Sequence, residues 1–242
     1  MNNKYWVCGK QTVLEVLKFQ SRKIEKILIF KKNKDYQKNN FFEKFQKITE
    51  FKSNEEISNT LNDFEIRHQG YAALVSSIHE YKNKKEYIKK MKTAIALNNI
   101  TDTRNIGSII RSSAAFGVDA VIVEKKNFKE NSLAMNKTSC GALEKIKVLK
   151  YSNIKYAIEE FKHYNFNILS FSSNSDNIIN NQTFGEKNLL IFGSEGKGVS
   201  EIIKKKSDQL VKINTKNNQS INVSCSVSSV LTLMGYLNNE GK

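Results

Sequence analysis

Residues 93–111 read TAIALNNITDTRNIGSIIR. The first five, Thr93 to Leu97, are nearly all apolar and are closed off by Asn98 and Asn99. A short apolar run ended by turn formers is the pattern of a strand buried on both faces. From Asn105 to Phe116 the apolar residues Ile106, Ile109, Ile110 and Ala114 fall at helical spacing. Asp102 or Asn105 can cap that helix by accepting its first free N–H groups. A buried strand that turns sharply into an amphipathic helix is half of a βαβ unit.

The same alternation continues downstream. Strands are expected over 120–123, 166–171, 189–192 and 210–213, and helices over 154–164, 199–206 and 221–237. Short connections between alternating strands and helices imply a doubly wound parallel sheet covered on both faces, an α/β fold. Ligands in such sheets bind beyond the carboxyl ends of the strands. Upstream, residues 79–92 (HEYKNKKEYIKKMK) are charged and poor in large aliphatics, which reads as a linker or a solvated helix. Residues 1–78 read as a smaller α/β unit, with helices over 11–19 and 41–48 and strands over 24–30 and 71–75. The expected division is therefore 1–78, a linker over 79–92, and 93–242.

The 242 residues carry 39 Lys and Arg against 24 Asp and Glu, a net charge of +15. Such an excess favours a polyanionic partner, because cationic side chains that neutralise phosphates release counterions. Nucleic acid comes first and an anionic membrane surface second, since no strongly basic amphipathic helix favours the membrane. The absence of proline and the wealth of Lys, Asn and Ile also fit a compositional bias that raises Lys everywhere. Cys8, Cys140 and Cys225 are odd in number and far apart, and His68, His79 and His163 lack metal-ligand spacing. Neither a disulfide framework nor a zinc site is expected. The apolar run near the N-terminus is too short for a signal peptide, and no run approaches the roughly 18–20 residues of a membrane span. A soluble, cytoplasmic protein is the expectation.

Three segments carry candidate chemistry. In the first, Gly107 and Arg111 lie four residues apart, hence on one side of the helix, and a small residue beneath Arg111 leaves room for a phosphate or ribose. In the second, 189–199 (LLIFGSEGKGV), three glycines follow a buried strand and let the backbone approach a ligand closely. The spacing is neither GxxxxGK[ST] nor GxGxxG, and Glu195 would repel a triphosphate. In the third, 213–225 (INTKNNQSINVSC), Ser220 and Asn222 open the last helix, with Ser220 as the expected N-cap. Taken singly, each has a bland reading: a solvated cation, a tight turn and a capped core helix.

Together, in this order and spacing, the three segments resemble the signature motifs of the SpoU family of RNA methyltransferases, within the SPOUT superfamily. Lys137 to Glu144 (KTSCGALE) resembles the family's region between the first two motifs. Gly9 to Leu17 and His68 to Ala73 (HQGYAA) look like the small RNA-binding domain of the branch that methylates a guanosine ribose in large-subunit (23S) rRNA. The resemblance implies a doubly wound α/β domain with a C-terminal trefoil knot, preceded by a small α/β RNA-binding domain. It implies S-adenosylmethionine as methyl donor, no metal, rRNA as partner, and a homodimer whose sites draw on both subunits. Carried over by position, Gly193, Ile213 and Ile221 would contact the donor, and Asn105, Arg111, Glu195, Ser220 and Asn222 match active-site positions. Arg111 would serve either as a base assisted by the substrate phosphate or as a cation that pins the phosphate and stabilises the developing alkoxide.

The sequence departs from the family pattern at Thr103 and Asn214, where proline is usual, and near Asn217, where glycine is usual in a third motif one residue longer. Losing two fixed φ angles predicts looser loops and weaker cofactor binding. The competing readings are a tRNA ribose methyltransferase, a non-catalytic RNA-binding ribosome-assembly factor, and a generic nucleotide-binding α/β enzyme, the last lacking any phosphate-loop signature.

Overall fold

The computed structural model describes residues 4–33, 40–78, 83–180, 182–216 and 219–240. The chain divides into two compact units, Met1–His79 with Glu130–Lys145, and Glu80–Lys129 with Ile146–Lys242. In chain order the elements are β1 (Lys4–Cys8), α1 (Lys10–Phe19), β2 (Ile24–Phe30), a 3₁₀ segment (Asn40–Ile48), β3 (Thr49–Lys52), α2 (Asn54–Leu61), β4 (Tyr71–Ser76), α3 (Lys84–Lys90), β5 (Thr93–Asn98) and α4 (Thr103–Ala115). There follow β6 (Ala120–Glu124), α5 (Leu133–Ser139), a 3₁₀ turn (Ala142–Glu144), β7 (Lys147–Tyr151), α6 (Ile154–Lys162), β8 (Asn167–Phe171), β9 (Asn188–Gly193), α7 (Glu201–Lys206), β10 (Gln209–Val211) and α8 (Val223–Glu240).

The first unit holds a four-stranded sheet in the order β1-β4-β2-β3. The central β4 is antiparallel to β1 and β2, whereas β2 and β3 are parallel. Val13, Val16 and Leu17 of α1 pack on Val7, Ile27, Ile29, Tyr71 and Val75 on one face. On the other, Ile57 and Leu61 of α2 meet Leu28, Cys8 and Ala72. A capping box starts α2: Ser53 Oγ accepts the Glu56 N–H at 3.1 Å, and the Glu56 carboxylate accepts the Ser53 N–H at 2.7 Å.

Residues Glu130–Lys145, read from the sequence as part of the C-terminal domain, group with this first unit. Polar groups fasten them. Arg22 is buried and ion-paired to Glu144, and both side chains are almost wholly out of solvent. Arg22 also donates to the Tyr5 hydroxyl, and Ser21 donates to Glu144. Tyr5 donates in turn to Glu130 at 3.0 Å, and burial pushes its hydroxyl well above the usual phenol range. Gly141 holds a left-handed φ of +79°, where a Cβ would stand 2.4 Å from that of Glu15.

The second unit holds six parallel strands in the order β10-β8-β9-β5-β6-β7. The chain steps outward from β5 to β7, then crosses to build β8, β9 and β10 on the other side. β5 and β9 thus meet at the point where the winding reverses, the usual place for a ligand crevice. Ala94, Ala96, Ile122, Ile168, Leu189 and Ile191 pack on one face against α6, Val199 and Ile203 of α7. The alternate residues point to the opposite face, where α4 packs on β6 and α8 packs on β9 and on α4. This is the doubly wound parallel α/β sheet expected from the sequence. Among the described residues no helix is long and apolar enough to cross a membrane.

Several details differ from the sequence reading. Of the 79–92 segment, 79–82 lie outside the described residues, and 84–90 form α3 with Ile88 buried in the core rather than a fully solvated stretch. The expected helix over 41–48 is a 3₁₀ segment. The elements β1, β3, α2, α5 and β7 have eight residues or fewer and fall below the window in which periodicity is legible.

The buried ion pair yields a test. Glu144→Ala leaves the Arg22 charge without its partner in a dry environment, which costs about 3–5 kcal/mol. Lys26→Ala breaks the exposed pair with Glu50 and costs less than about 1 kcal/mol. Urea unfolding of both variants measures the contrast; equal stabilities would show that Arg22 finds another counterion.

Candidate functional site

All strands of the six-stranded sheet are parallel, so the loops after β5, β8, β9 and β10 open on the same edge. At the end of β5, the buried Asn98 accepts the Ser200 N–H at 2.9 Å, which ties the start of α7 to that strand. Asn99 takes a left-handed φ of 57° and donates its N–H to Glu124 at 3.1 Å. Asp102 then accepts the N–H groups of Arg104 and Asn105, each at 2.8 Å, and starts α4 without a proline. Asn105 is thereby fixed in the first turn of the helix.

The second segment leaves β9 at Gly193. A Cβ there would stand 2.0 Å from the Gly198 carbonyl carbon and 2.2 Å from the Val199 nitrogen, so no side chain fits. The turn is closed by the Gly198 N–H donating to the Ser194 oxygen at 2.7 Å, with Gly198 at a φ of +63°. This tight return pushes Glu195 outward at its tip.

The third segment leads into α8. Here the structure differs from the sequence reading: Asn222, not Ser220, accepts the Ser224 N–H at 2.8 Å. Ser220 lies two residues too early to reach that N–H group. The Asn222 amide is left to donate elsewhere, to Glu195 Oε1 at 2.6 Å and Asn105 Oδ1 at 3.1 Å. The Asn105 amide donates to the same Glu195 oxygen at 3.1 Å. Three segments distant in sequence therefore converge on one carboxylate.

Beside this cluster lies a cavity of about 350 Å³. Gly193, Glu195, Ile213, Ser220 and Ile221, all singled out from the sequence, line it. Asn105 and Asn222 join the site through Glu195 rather than through the cavity wall. Arg111 stands apart. It is exposed on α4, six residues beyond Asn105 and so about 9 Å along the helix axis, without a hydrogen-bond or ion-pair partner among the described residues. Asn217 lies outside the described residues.

The sequence reading passed over part of the lining: Phe171 and the polar run Ser172-Ser173-Asn174 that follows it, and Lys204 on α7. Phe171 stacks on Phe192, centroids 4.6 Å apart and planes within 4°. Lys204 pairs with Glu201 at 2.7 Å and holds that carboxyl below the usual carboxylate range. The signal available for the first group was its position, a polar run at the carboxyl end of a buried parallel strand.

With the geometry in hand, comparison with known proteins decides the family. The model of the SpoU rRNA Methylase family matches residues 92–232. The chain belongs to the SpoU rRNA methylase family. The matched region contains every residue of the cluster and of the cavity lining. A Staphylococcus epidermidis protein assigned to the TrmH family of tRNA/rRNA methyltransferases is 34% identical over 152 residues, 60% of this chain. The chain spans 61% of the length of that relative. Among solved structures, the SpoU methyltransferase AviRb from Streptomyces viridochromogenes, in complex with its cofactor AdoMet, superposes with a TM-score of 0.76. It is 15% identical and covers 95% of this chain and 88% of its own. A structure described as an RNA 2′-O ribose methyltransferase gives 0.78 at 16% identity, covering 98% and 90%. At these identities the structural likeness shows a shared α/β fold and nothing beyond it.

Two of the three glycines in this segment separate cleanly. Gly193→Ala forces backbone against backbone and lowers unfolding stability by more than about 2 kcal/mol. Gly196→Ala meets open space at an ordinary φ and stays within about 0.5 kcal/mol of the parent or above it. Denaturant midpoints of the pair check this; a tolerated alanine at 193 contradicts the close approach.

Proposed function

We propose that this chain transfers a methyl group from S-adenosylmethionine to a ribose 2′-hydroxyl of RNA, at a guanosine of 23S rRNA. The observation that carries the reading is the convergence of Asn105, Glu195 and Asn222 beside a cavity that suits the methyl donor. S-adenosylmethionine presents a flat base, a ribose diol, and an amino-acid end with one anion and one cation. The cavity offers the Phe171–Phe192 pair, Ile213 and Ile221 for the base, Ser172, Thr215 and Ser220 for hydroxyls, and Lys204 and Glu195 for the charged end. Its volume lies within the usual range for small-ligand sites, roughly 300–1,000 Å³. When bound, the donor supplies an electrophilic methyl on a positively charged sulfur.

The chain's own residues then do three things. Gly193, Ile213 and Ile221 wall the cofactor cavity, and the missing Cβ at 193 lets the loop close. Glu195 accepts two amide bonds and so fixes the loop tip, the start of α4 and the start of α8 as one unit, which supports catalysis by orientation. Arg111, a permanent cation with no partner among the described residues, is free to grip the phosphate next to the target ribose. A guanidinium there stabilises the alkoxide character that develops as the hydroxyl attacks. The 23S rRNA reading draws on the net charge of +15 and on the likeness of residues 1–78 to the rRNA branch. The reading includes the C-terminal trefoil knot, the homodimer with composite sites, and a cytoplasmic setting.

Methyl transfer to deproteinised 23S rRNA, with tRNA as the alternative substrate, tests this directly. The wild-type chain is expected to label rRNA. Arg111→Ala is expected to lose activity by about 100-fold or more while its cofactor Kd, by calorimetry, stays within about threefold. Near-full activity of Arg111→Ala would sink the role given to it, preference for tRNA would move the substrate, and failure to bind S-adenosylmethionine would sink the enzyme. Mapping 2′-O-methyl groups in rRNA from cells lacking the gene would place the nucleotide.

A further inference from the structure

The first unit has a hollow of its own, about 390 Å³, between the start of α2 and the loop that joins α2 to β4. Phe30, Asn54, Ser58, Phe64, Arg67 and Gln69 line it. Three properties set it apart from an ordinary surface dent.

The first is an aromatic ring held in water. Phe64 is 72% exposed, more than any other large apolar side chain among the described residues. What matters is where the ring stands: it lines the hollow with its surface still in water, open to a flat partner.

The second is rigidity. Asp63 accepts the N–H groups of Glu65 and Ile66 at 3.1 and 2.9 Å, an Asx turn that sets the loop carrying Phe64. The buried His68 accepts the Gly70 N–H on Nδ1 at 3.0 Å, which leaves Nε2 as donor to Ser58 Oγ at 3.3 Å. Burial lowers the His68 pKa, so the ring stays neutral and keeps both bonds near pH 7. Gln69 at φ 56° and Gly70 at φ 77° complete the bend, and a Cβ at Gly70 would meet the Phe30 Cβ at 2.7 Å. The loop is thus preorganised at the expense of two left-handed residues.

The third is the chemistry around the ring. Arg67 is exposed and has no ion-pair partner among the described residues, and Lys31 and Lys32 follow Phe30 directly on the exposed surface. Asn54 and Ser58 sit four apart, on one face of α2. Amides, a hydroxyl and the Glu65 carboxylate offer both donors and acceptors to the edge of a base.

We propose that this hollow is a subsite for one unpaired nucleotide of the RNA substrate, its base stacked on Phe64 and its phosphate held by Arg67. An exposed ring with cations beside it is how proteins hold single-stranded RNA, whose bases are free to stack where those of a duplex are not. The inference rests on the reading that the substrate is RNA, but it concerns capture of the strand and not methyl transfer.

Fluorescence anisotropy of the full-length chain tests it, with an unstructured RNA of about 12 nucleotides and a duplex of the same length as probes. Phe64→Ala is expected to weaken single-strand binding about tenfold, Phe64→Tyr to stay within about twofold of the parent, and duplex binding to be unchanged in both. Arg67→Ala is expected to weaken binding and to reduce the salt slope by about one. Any of three results overturns the subsite: unchanged single-strand binding by Phe64→Ala, equal loss on single strand and duplex, or a change of oligomeric state in sedimentation, which would make Phe64 a contact between copies. Absence of single-strand binding by the wild-type chain overturns it too. Methyl transfer by wild type, run in parallel, keeps the two readings apart: a wild-type chain that methylates rRNA while Phe64→Ala binds normally loses the subsite and keeps the function.

Discussion

Gly193 stands where β9 ends and the chain doubles back so closely that its missing side chain is replaced by the backbone of Gly198 and Val199. That contact sets the position of everything after it. It fixes the start of α7, which Asn98 holds from the neighbouring strand, and it throws Glu195 to the tip of the turn. Any residue with a Cβ at 193 would open the turn and move the carboxylate. The cavity wall and the polar cluster are two results of the same close approach.

Glu195 then acts as a shared acceptor. One of its oxygens takes amide protons from Asn105 and Asn222, which lie 90 and 27 residues away in sequence. These bonds are exposed, and each contributes only about 0.5–1.5 kcal/mol net. They cannot be what holds the domain together; that falls to the apolar layers on both faces of the sheet. Their effect is to make two helix starts and one loop tip keep a common geometry. The distribution of roles follows from burial: the core supplies stability and the carboxyl edge supplies arrangement.

What could be read in the sequence divides along the same line. The strands β5, β8 and β9 and the helices α4 and α6 were legible because each is long or purely apolar enough to show its period. The glycine loop was legible because Gly193, Gly196 and Gly198 follow a buried strand. The exchange of capping between Ser220 and Asn222 was not, since either residue caps well and only the backbone path decides. Neither was the pair of Arg22 and Glu144, 122 residues apart. Charged residues in sequence default to the surface, and nothing local announces that two of them will be buried together. The family resemblance located Asn105, Glu195 and Asn222, and their hydrogen bonds explain why three weak local signals had to be taken together. The lining residues at the end of β8 carry no motif and came only from topology.

The membership of Glu130–Lys145 in the first unit has a consequence for how the chain can be divided. The chain passes between the two units three times, after His79, after Lys129 and after Lys145. A single proteolytic nick near residue 79 would therefore not release the first unit whole; it would split that unit, leaving 1–79 held to 130–145 by non-covalent contacts alone. A gene fragment beginning at residue 93 would carry the excursion between β6 and β7 stripped of the Arg22 and Tyr5 that receive it.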